Sequence, residues 1–392
     1  MEYNIMNNKK FIILLVNLAI PLGGMSTDIY LPSLPAMTNY FHSPEMSVQL
    51  TITLFTLGLG IGQLFAGPIS DAIGRKKLFI FGLILQLLSL ILMITVHSIN
   101  TIIIIRFVQG IGVALMMVPA RAMLNDIFDG DMLKKQYTYM TASFALGPIV
   151  APFIGGYLQH YLGWKSNFYF IMAYAIILLA LSIIFLNETI AHKKRFSIEH
   201  MRSSYGVLLK NRFFIASGLL VGFMISCSAV FNVAGPFLIQ NLLNKSPIFY
   251  GYIALLMGTG WFSGNMTSRL FSNVSIEKKS NIAFIALIVI SGVMLILSFT
   301  ELNIYKLIIP ILLMLFSAGF LFPIYVGECL SLFRKQAASA NGVLFSFIWI
   351  MFSLFSFIAT FLKAESFVPI SVCYLSMAIF VYLWFLFMIR KR

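Results

Sequence analysis

Leu78-Phe79-Ile80-Phe81-Gly82-Leu83-Ile84-Leu85-Gln86-Leu87-Leu88-Ser89-Leu90-Ile91-Leu92-Met93-Ile94-Thr95-Val96 carries no charge and follows directly on Gly74-Arg75-Lys76-Lys77. A helix crossing the roughly 30 Å of a bilayer core needs about 20 apolar residues. This run meets that length. It is continuous rather than alternating, so it predicts a helix and not a barrel strand. The basic triplet in front of it predicts which end stays in the cytoplasm.

Working outward, similar runs recur along the whole chain. The predicted spans are 11–32, 48–67, 78–96, 100–122, 136–158, 166–186, 212–236, 249–268, 281–299, 304–328, 338–362 and 368–389. The seventh is interrupted by Asn232 and Gly235-Pro236, which a membrane helix tolerates when neighbours satisfy its backbone. The first is too long for a signal-peptide core and has no small-residue cleavage site after it, so it is expected to be retained. Composition agrees. Of 392 residues, 60% are hydrophobic and only 10% are charged, against about 25% charged in soluble domains. Mean hydropathy is +0.93. Ordinary soluble enzymes, disordered chains and disulfide scaffolds are excluded.

The net charge of +14 could suit nucleic acid or a membrane face. Its placement decides. With the N-terminus inside, 22 of the 27 basic residues fall on the inner side and Lys165, Lys245, Lys306 and Lys363 fall outside. Arg106 alone lies within a span. The bias predicts cytoplasmic termini in a multi-pass protein and excludes a nucleic-acid partner. The polar stretch 187–211, with His192-Lys193-Lys194-Arg195, divides the chain into an N-terminal six-helix bundle (1–186), a cytoplasmic linker (187–211) and a C-terminal six-helix bundle (212–392). Gly260-x-x-x-Gly264-Asn265…Arg269 reads as a faded copy of Gly62…Gly67-Pro68…Arg75.

Cys227, Cys329 and Cys373 fall in separate spans, and His42, His97, His160, His192 and His200 lack paired spacing. No metal site is expected. Without a Gly-x-x-x-x-Gly-Lys-Ser/Thr loop the chain has no phosphate cradle for ATP, so transport would run on a gradient and need no cofactor.

Ionisable groups inside a span are costly and mark function by default. Asp28 lies in Ser26-Thr27-Asp28-Ile29-Tyr30-Leu31-Pro32-Ser33-Leu34-Pro35; the plain alternative is an interfacial cap for a short helix starting at Pro32. Arg106 opens Arg106-Phe107-Val108-Gln109-Gly110-Ile111-Gly112, with Asp28 its expected partner and snorkelling the alternative. Glu328 sits at the inner end of span 10, where charges commonly snorkel. Asp71 ends span 2 and could face the positive start of span 11 near Ala338. Gly147-Pro148-Ile149-Val150-Ala151-Pro152-Phe153-Ile154-Gly155-Gly156 predicts a bent, tightly packed span 5.

In this order, these motifs resemble those of the major facilitator superfamily, and specifically its twelve-span drug:proton antiporters of the bicyclomycin/chloramphenicol resistance (Bcr/CflA) branch. Thr27-Asp28-x-Tyr30-Leu31-Pro32-x-Leu34-Pro35 is the most branch-specific string. Asp71…Gly74-Arg75-Lys76 resembles the cytoplasmic gating motif, Arg106-x-x-Gln109-Gly110 the span-4 arginine motif and Gly147-Pro148-x-x-x-Pro152-x-x-Gly155 the span-5 antiporter motif. Ala120-Arg121-Ala122 and Asp126 resemble the inner end of span 4; Asn125 stands where relatives often carry arginine. The resemblance implies an all-α fold of two pseudo-symmetric bundles in the bacterial inner membrane. It implies proton coupling at Asp28 and Arg106, and a cytoplasmic gate of Asp71, Arg75, Lys76 and Asp126. It further implies a substrate cavity reached by Tyr30 and Gln109, and a kinked helix at Gly147, Pro148, Pro152 and Gly155. Small lipophilic molecules and protons would be the partners of a monomer. Transport of one metabolite or siderophore, or a non-transporting receptor or scaffold, are the competing readings.

Overall fold

The computed structural model describes residues 2–193, 195–333 and 336–389. Lys194, Arg334, Lys335, Arg390, Lys391 and Arg392 lie outside the described residues, as do the side chains of His200 and Ala338. The N-terminal half holds α1 (Glu2–Asp28), α2 (Leu34–Phe41), α3 (Glu45–Ile73), α4 (Arg75–Thr95), α5 (Ile99–Ile127), α6 (Gly130–Leu162) and α7 (Lys165–Phe185). The linker contributes α8 (Ile198–Lys210). The C-terminal half holds α9 (Arg212–Phe237), α10 (Pro247–Leu270), α11 (Ile276–Ser298), α12 (Ile304–Ser331), α13 (Ala337–Ala359) and α14 (Val368–Trp384). Apart from α2 and α8, these are the twelve expected spans. Eleven are long and apolar enough by themselves to cross a membrane. The twelfth, α10, is diluted by Thr259, Ser263, Asn265, Thr267 and Ser268.

Local chemistry sets several helix starts. Asn211, Ser246, Ser275 and Asn303 each accept a hydrogen bond from a backbone N–H in the first turn of α9, α10, α11 and α12, as N-cap residues do. α1 stops at Asp28, earlier than the predicted 32. Pro32 opens a 3-10 turn over Leu31–Ser33, and Pro35 lies in the first turn of α2. Proline supplies no N–H and fits only the first turn of a helix.

The two halves repeat one packing scheme. α3 packs on α5 as α10 packs on α12, and α4 on α5 as α11 on α12. Between the halves, α3 lies against α13 and α6 against α10. This is the pairing of a pseudo-two-fold along the membrane normal. Glycines fix its register. A Cβ on Gly58 would run into the Phe107 carbonyl and one on Gly110 into that of Phe55. In the second half Gly264 meets the Phe316 carbonyl and Gly319 that of Trp261 in the same way. The internal repeat therefore pairs Gly58 with Gly264. The sequence alignment that began at Gly62 and Gly260 is out of register, because the glycines that matter are those at which two backbones meet.

The start of α1, the end of α14 and the linker share one end of the molecule, termed the linker end. Phe11 packs on Phe185 at 5.5 Å, and the Trp384 indole donates to the Ala216 carbonyl at 3.0 Å. Hydrogen bonds between the halves gather at the opposite, far end. Gln49 donates to the Val233 carbonyl at 3.2 Å, Ser353 to the Thr53 carbonyl at 2.8 Å and Gln240 to the Pro32 carbonyl at 2.9 Å. Thr53 and Ser356 share a bond of 2.7 Å, and the hydroxyls of Tyr157 and Tyr252 one of 2.8 Å.

Candidate functional site

Asp28 is the last residue of α1 and is buried. Its Oδ1 accepts a hydrogen bond of 3.0 Å from Nδ2 of Asn232, on α9 of the other half. It caps no helix: Tyr30 and Ser33 precede the 3-10 turn and α2, and neither makes a side-chain cap. The plain capping alternative is thereby removed.

Arg106 is fully buried, at 0% exposure. Its expected ion pair with Asp28 is not formed. Instead Nη1 donates to the Ser26 carbonyl at 3.1 Å and to Gln109 Oε1 at 2.6 Å, and Nε donates to the Thr51 carbonyl at 3.4 Å. The guanidinium stands 4.4 Å from the Tyr30 ring centre and 4.1 Å from that of Phe55. A buried cation needs partners, and aromatic faces and carbonyls supply them without a counter-ion. Its Nη2 has no partner.

Two further expectations change with it. Tyr30 and Gln109 were expected to face a cavity, yet both are buried against Arg106. The Tyr30 hydroxyl bonds Thr51 at 3.0 Å, and its ring packs 5.5 Å from Phe168. The reason is the burial cost of Arg106, which recruits the nearest polar and aromatic side chains. An apolar hollow does exist between α9, α11, α12 and α14, lined by Phe223, Met224, Cys227, Met314 and Tyr374. It lies inside the C-terminal half.

At the linker end, Arg75 pairs with Asp71, four residues earlier at the end of α3, and with Asp126 at 3.1 Å, and donates to Ser70 at 3.1 Å. Asp126 also accepts from Thr189 at 2.7 Å. The Lys76 ammonium reaches the Ile183 carbonyl at 3.3 Å. Three of the four expected gate residues, Asp71, Arg75 and Asp126, thus stand together, while Lys76 turns to α7. The positive start of α4, however, is met by Glu188, which accepts from the Arg75 backbone N–H at 2.8 Å. Asp71 turns to Arg75, and no bond from it to the start of α13 is present among the described residues. Sequence reading missed Glu188, since it is one acid in a polar linker with no spacing to mark it. Gly74 makes the turn possible, with φ +110° and a Cβ position already occupied by the Glu188 carboxylate. Tyr205 of α8 donates to the Leu64 carbonyl at 2.7 Å. Its burial, with the charge of Asp71 adding, pushes the phenol up to about 12. Arg121 reaches across the halves and stands 4.7 Å from the Phe345 ring. The Asn125 amide accepts from Tyr137 at 3.1 Å. Glu328 is half-buried at the end of α12.

α6 runs unbroken through Pro148 and Pro152. One face meets α1: a Cβ on Gly147 would stand 2.8 Å from the Pro21 carbonyl, and one on Gly155 would overlap that of Ile29. The other face meets α10, where the Gly156 position lies 2.6 Å from the Pro247 carbonyl and Gly251 packs on Pro152. The motif therefore forms the seam between the halves.

Comparison with known proteins names the class. Residues 17–360 match the Major Facilitator Superfamily. Two solved transporters share the fold. The D-xylose-proton symporter has a TM-score of 0.74 at 13% identity, covering 96% of this chain and 98% of that one. The human organic anion transporter MFSD10 has a TM-score of 0.67 at 16% identity, with the same coverage.

The chain belongs to the Major Facilitator Superfamily and is a multi-pass membrane transporter rather than an enzyme. Among its relatives, the uncharacterized MFS-type transporter YdgK of Bacillus subtilis is 30% identical, over 82% of each chain. The bicyclomycin resistance protein homolog of Haemophilus influenzae is 30% identical over 75% of each. Multidrug resistance protein D of Escherichia coli is 24% identical over 85% of this chain and 84% of its own. These names place the chain beside the drug-resistance branch that its motifs resemble.

Proposed function

We propose that this transporter exports small lipophilic, drug-like molecules in exchange for protons by alternating access. The observation that carries the reading is Asp28: a buried carboxylate at the seam, bonded to the opposite half rather than neutralised by an arginine. Such a group can take a proton from one side and give it up on the other as its surroundings change. A proton entering from outside neutralises Asp28 and releases the substrate outward; the return step discharges the proton inward. Arg106, fixed nearby by carbonyls and rings, sets the field that Asp28 experiences. Asp71, Arg75, Lys76, Asp126 and Glu188 hold the linker end together when that side closes.

The names of the resistance-protein relatives support this class of substrate. The basic bias supports a cytoplasmic linker and cytoplasmic termini, the bacterial relatives support a bacterial inner membrane, and the proposed carrier is a monomer with the proton gradient as its energy source. A substrate panel on proteoliposomes with an imposed pH gradient tests the reading. Accumulation of hydrophobic drugs driven by the gradient is expected. Gradient-driven movement of one metabolite or siderophore, with none of any drug, would replace the drug assignment.

A further inference from the structure

Several hydrogen bonds tie the halves at the far end, and most join neutral groups: Gln49 to Val233, Thr53 to Ser356, Gln240 to Pro32. These bonds do not change when a proton arrives. The bond from Asn232 to Asp28 does, because its acceptor is a carboxylate. Asn241 also donates to a carboxylate, that of Glu45 at 3.1 Å, but on an exposed part of the surface, where such contacts contribute little.

Asn232 is well placed for more than packing. It is an amide in an otherwise apolar stretch, Ala229-Val230-Phe231-Asn232-Val233-Ala234. The offset relating Gly58 to Gly264 carries Asp28 close to Asn232. The pair therefore sits near the pseudo-two-fold, where the two halves part when the far end opens. The ionisable groups acting on Asp28 are Arg106 on α5 and Tyr250 on α10. Arg106 is already held by Ser26, Gln109 and Thr51. The Tyr250 hydroxyl is buried and without a partner. Asn232 is thus the group that joins Asp28 to the C-terminal half.

We propose that Asn232 is a latch that reads the charge of Asp28: its amide holds the far end shut while the carboxylate is ionised and releases it when a proton or substrate covers the carboxylate. The physical basis is that a hydrogen bond to a charged acceptor is roughly twice as strong as one between neutral groups. Losing that extra strength moves the shut-to-open ratio by about tenfold. An empty carrier with ionised Asp28 then stays shut at the far end, so that end does not open without cargo. This rests on the reading of Asp28 as the proton carrier.

Distance measurements between spin labels test it without any substrate. Labels go on His97 and Lys363, exposed far-end positions in opposite halves, in a full chain whose Cys227, Cys329 and Cys373 are alanine. In the wild type the distance distribution is expected to shift toward longer values as pH falls. Asp28→Asn should be shifted at every pH. Asn232→Leu should also be shifted at every pH, with its pH response lost, while Asn241→Ala keeps the wild-type response. If Asn232→Leu does not fold, Asn232→Ser, whose hydroxyl is too short to span the gap, gives the same reading. An Asn232 variant that keeps the wild-type response while Asp28→Asn loses it overturns the latch and leaves proton coupling intact. An Asp28→Asn protein that still responds as the wild type does overturns both.

Discussion

Among the described residues Arg106 is the largest charged side chain buried completely, and its surroundings show how a cation is kept there without a counter-ion. Its fork fits two carbonyls and an amide oxygen while its plane lies against two rings. Lysine keeps the charge but has neither the fork nor the plane. Arg106→Lys is expected to lose about 3 kcal/mol of stability, the cost of leaving a buried charge poorly paired, read as a lowered melting temperature in detergent. Asp28 and Arg106 were legible in the sequence because a charge in an apolar run stands out. Their pairing was not, because sequence shows depth and cannot show that rings and carbonyls have already satisfied the arginine. Asn232 was visible only as an interruption of its span, since an amide does not announce which carboxylate it will meet.

At the linker end, Gly74 and Tyr205 both tie the linker to the N-terminal half. Gly74→Ala would place a Cβ on the Glu188 carboxylate at φ +110°. A cost of about 1–3 kcal/mol is expected, together with faster proteolysis of the linker. For Tyr205, a phenol raised to about 12 favours the neutral form in the folded state. The α8 contact with Leu64 is therefore at full strength below the ordinary value of 10.0 and is lost as pH rises through about 12. Alkaline titration of tyrosinate absorbance should lose one group with a midpoint of about 12 in Tyr205→Phe, the other late-titrating tyrosines being unchanged. An identical titration in both proteins would remove α8 from the docked position.

At the scale of elements, α6 is the seam, with small residues on two faces toward α1 and α10. A leucine at Gly155 would have to displace the Ile29 carbonyl, immediately after Asp28. Overpacking of this kind costs about 1–3 kcal/mol. Gly155→Leu should lower the melting temperature and slow transport together, whereas Gly163→Ala, in open space at φ +79°, should affect stability alone. Helix positions were readable because hydrophobic length is a one-dimensional property. The break of α1 at Asp28 and the true repeat register were not. Both depend on which backbone meets which, and that is settled only when α3 lies on α5 and α10 on α12.

For the whole molecule, bonds between the halves gather at the far end, while the linker end is tied chiefly within the N-terminal half and its linker by Asp71, Arg75, Asp126 and Glu188. An alternating-access cycle must break the far-end bonds and draw the halves together at the linker end, and the proposed role of Asp28 is to decide by its charge when the far end opens. The most direct measurement is exchange in proteoliposomes: efflux of a hydrophobic drug driven by an imposed pH gradient, wild type against Asp28→Asn, with proton movement followed at the same time. The wild type is expected to exchange drug for proton, and Asp28→Asn to bind drug but lose gradient-driven transport and the accompanying proton flux. Gradient-driven efflux by Asp28→Asn at the wild-type rate would rule out Asp28 as the proton carrier.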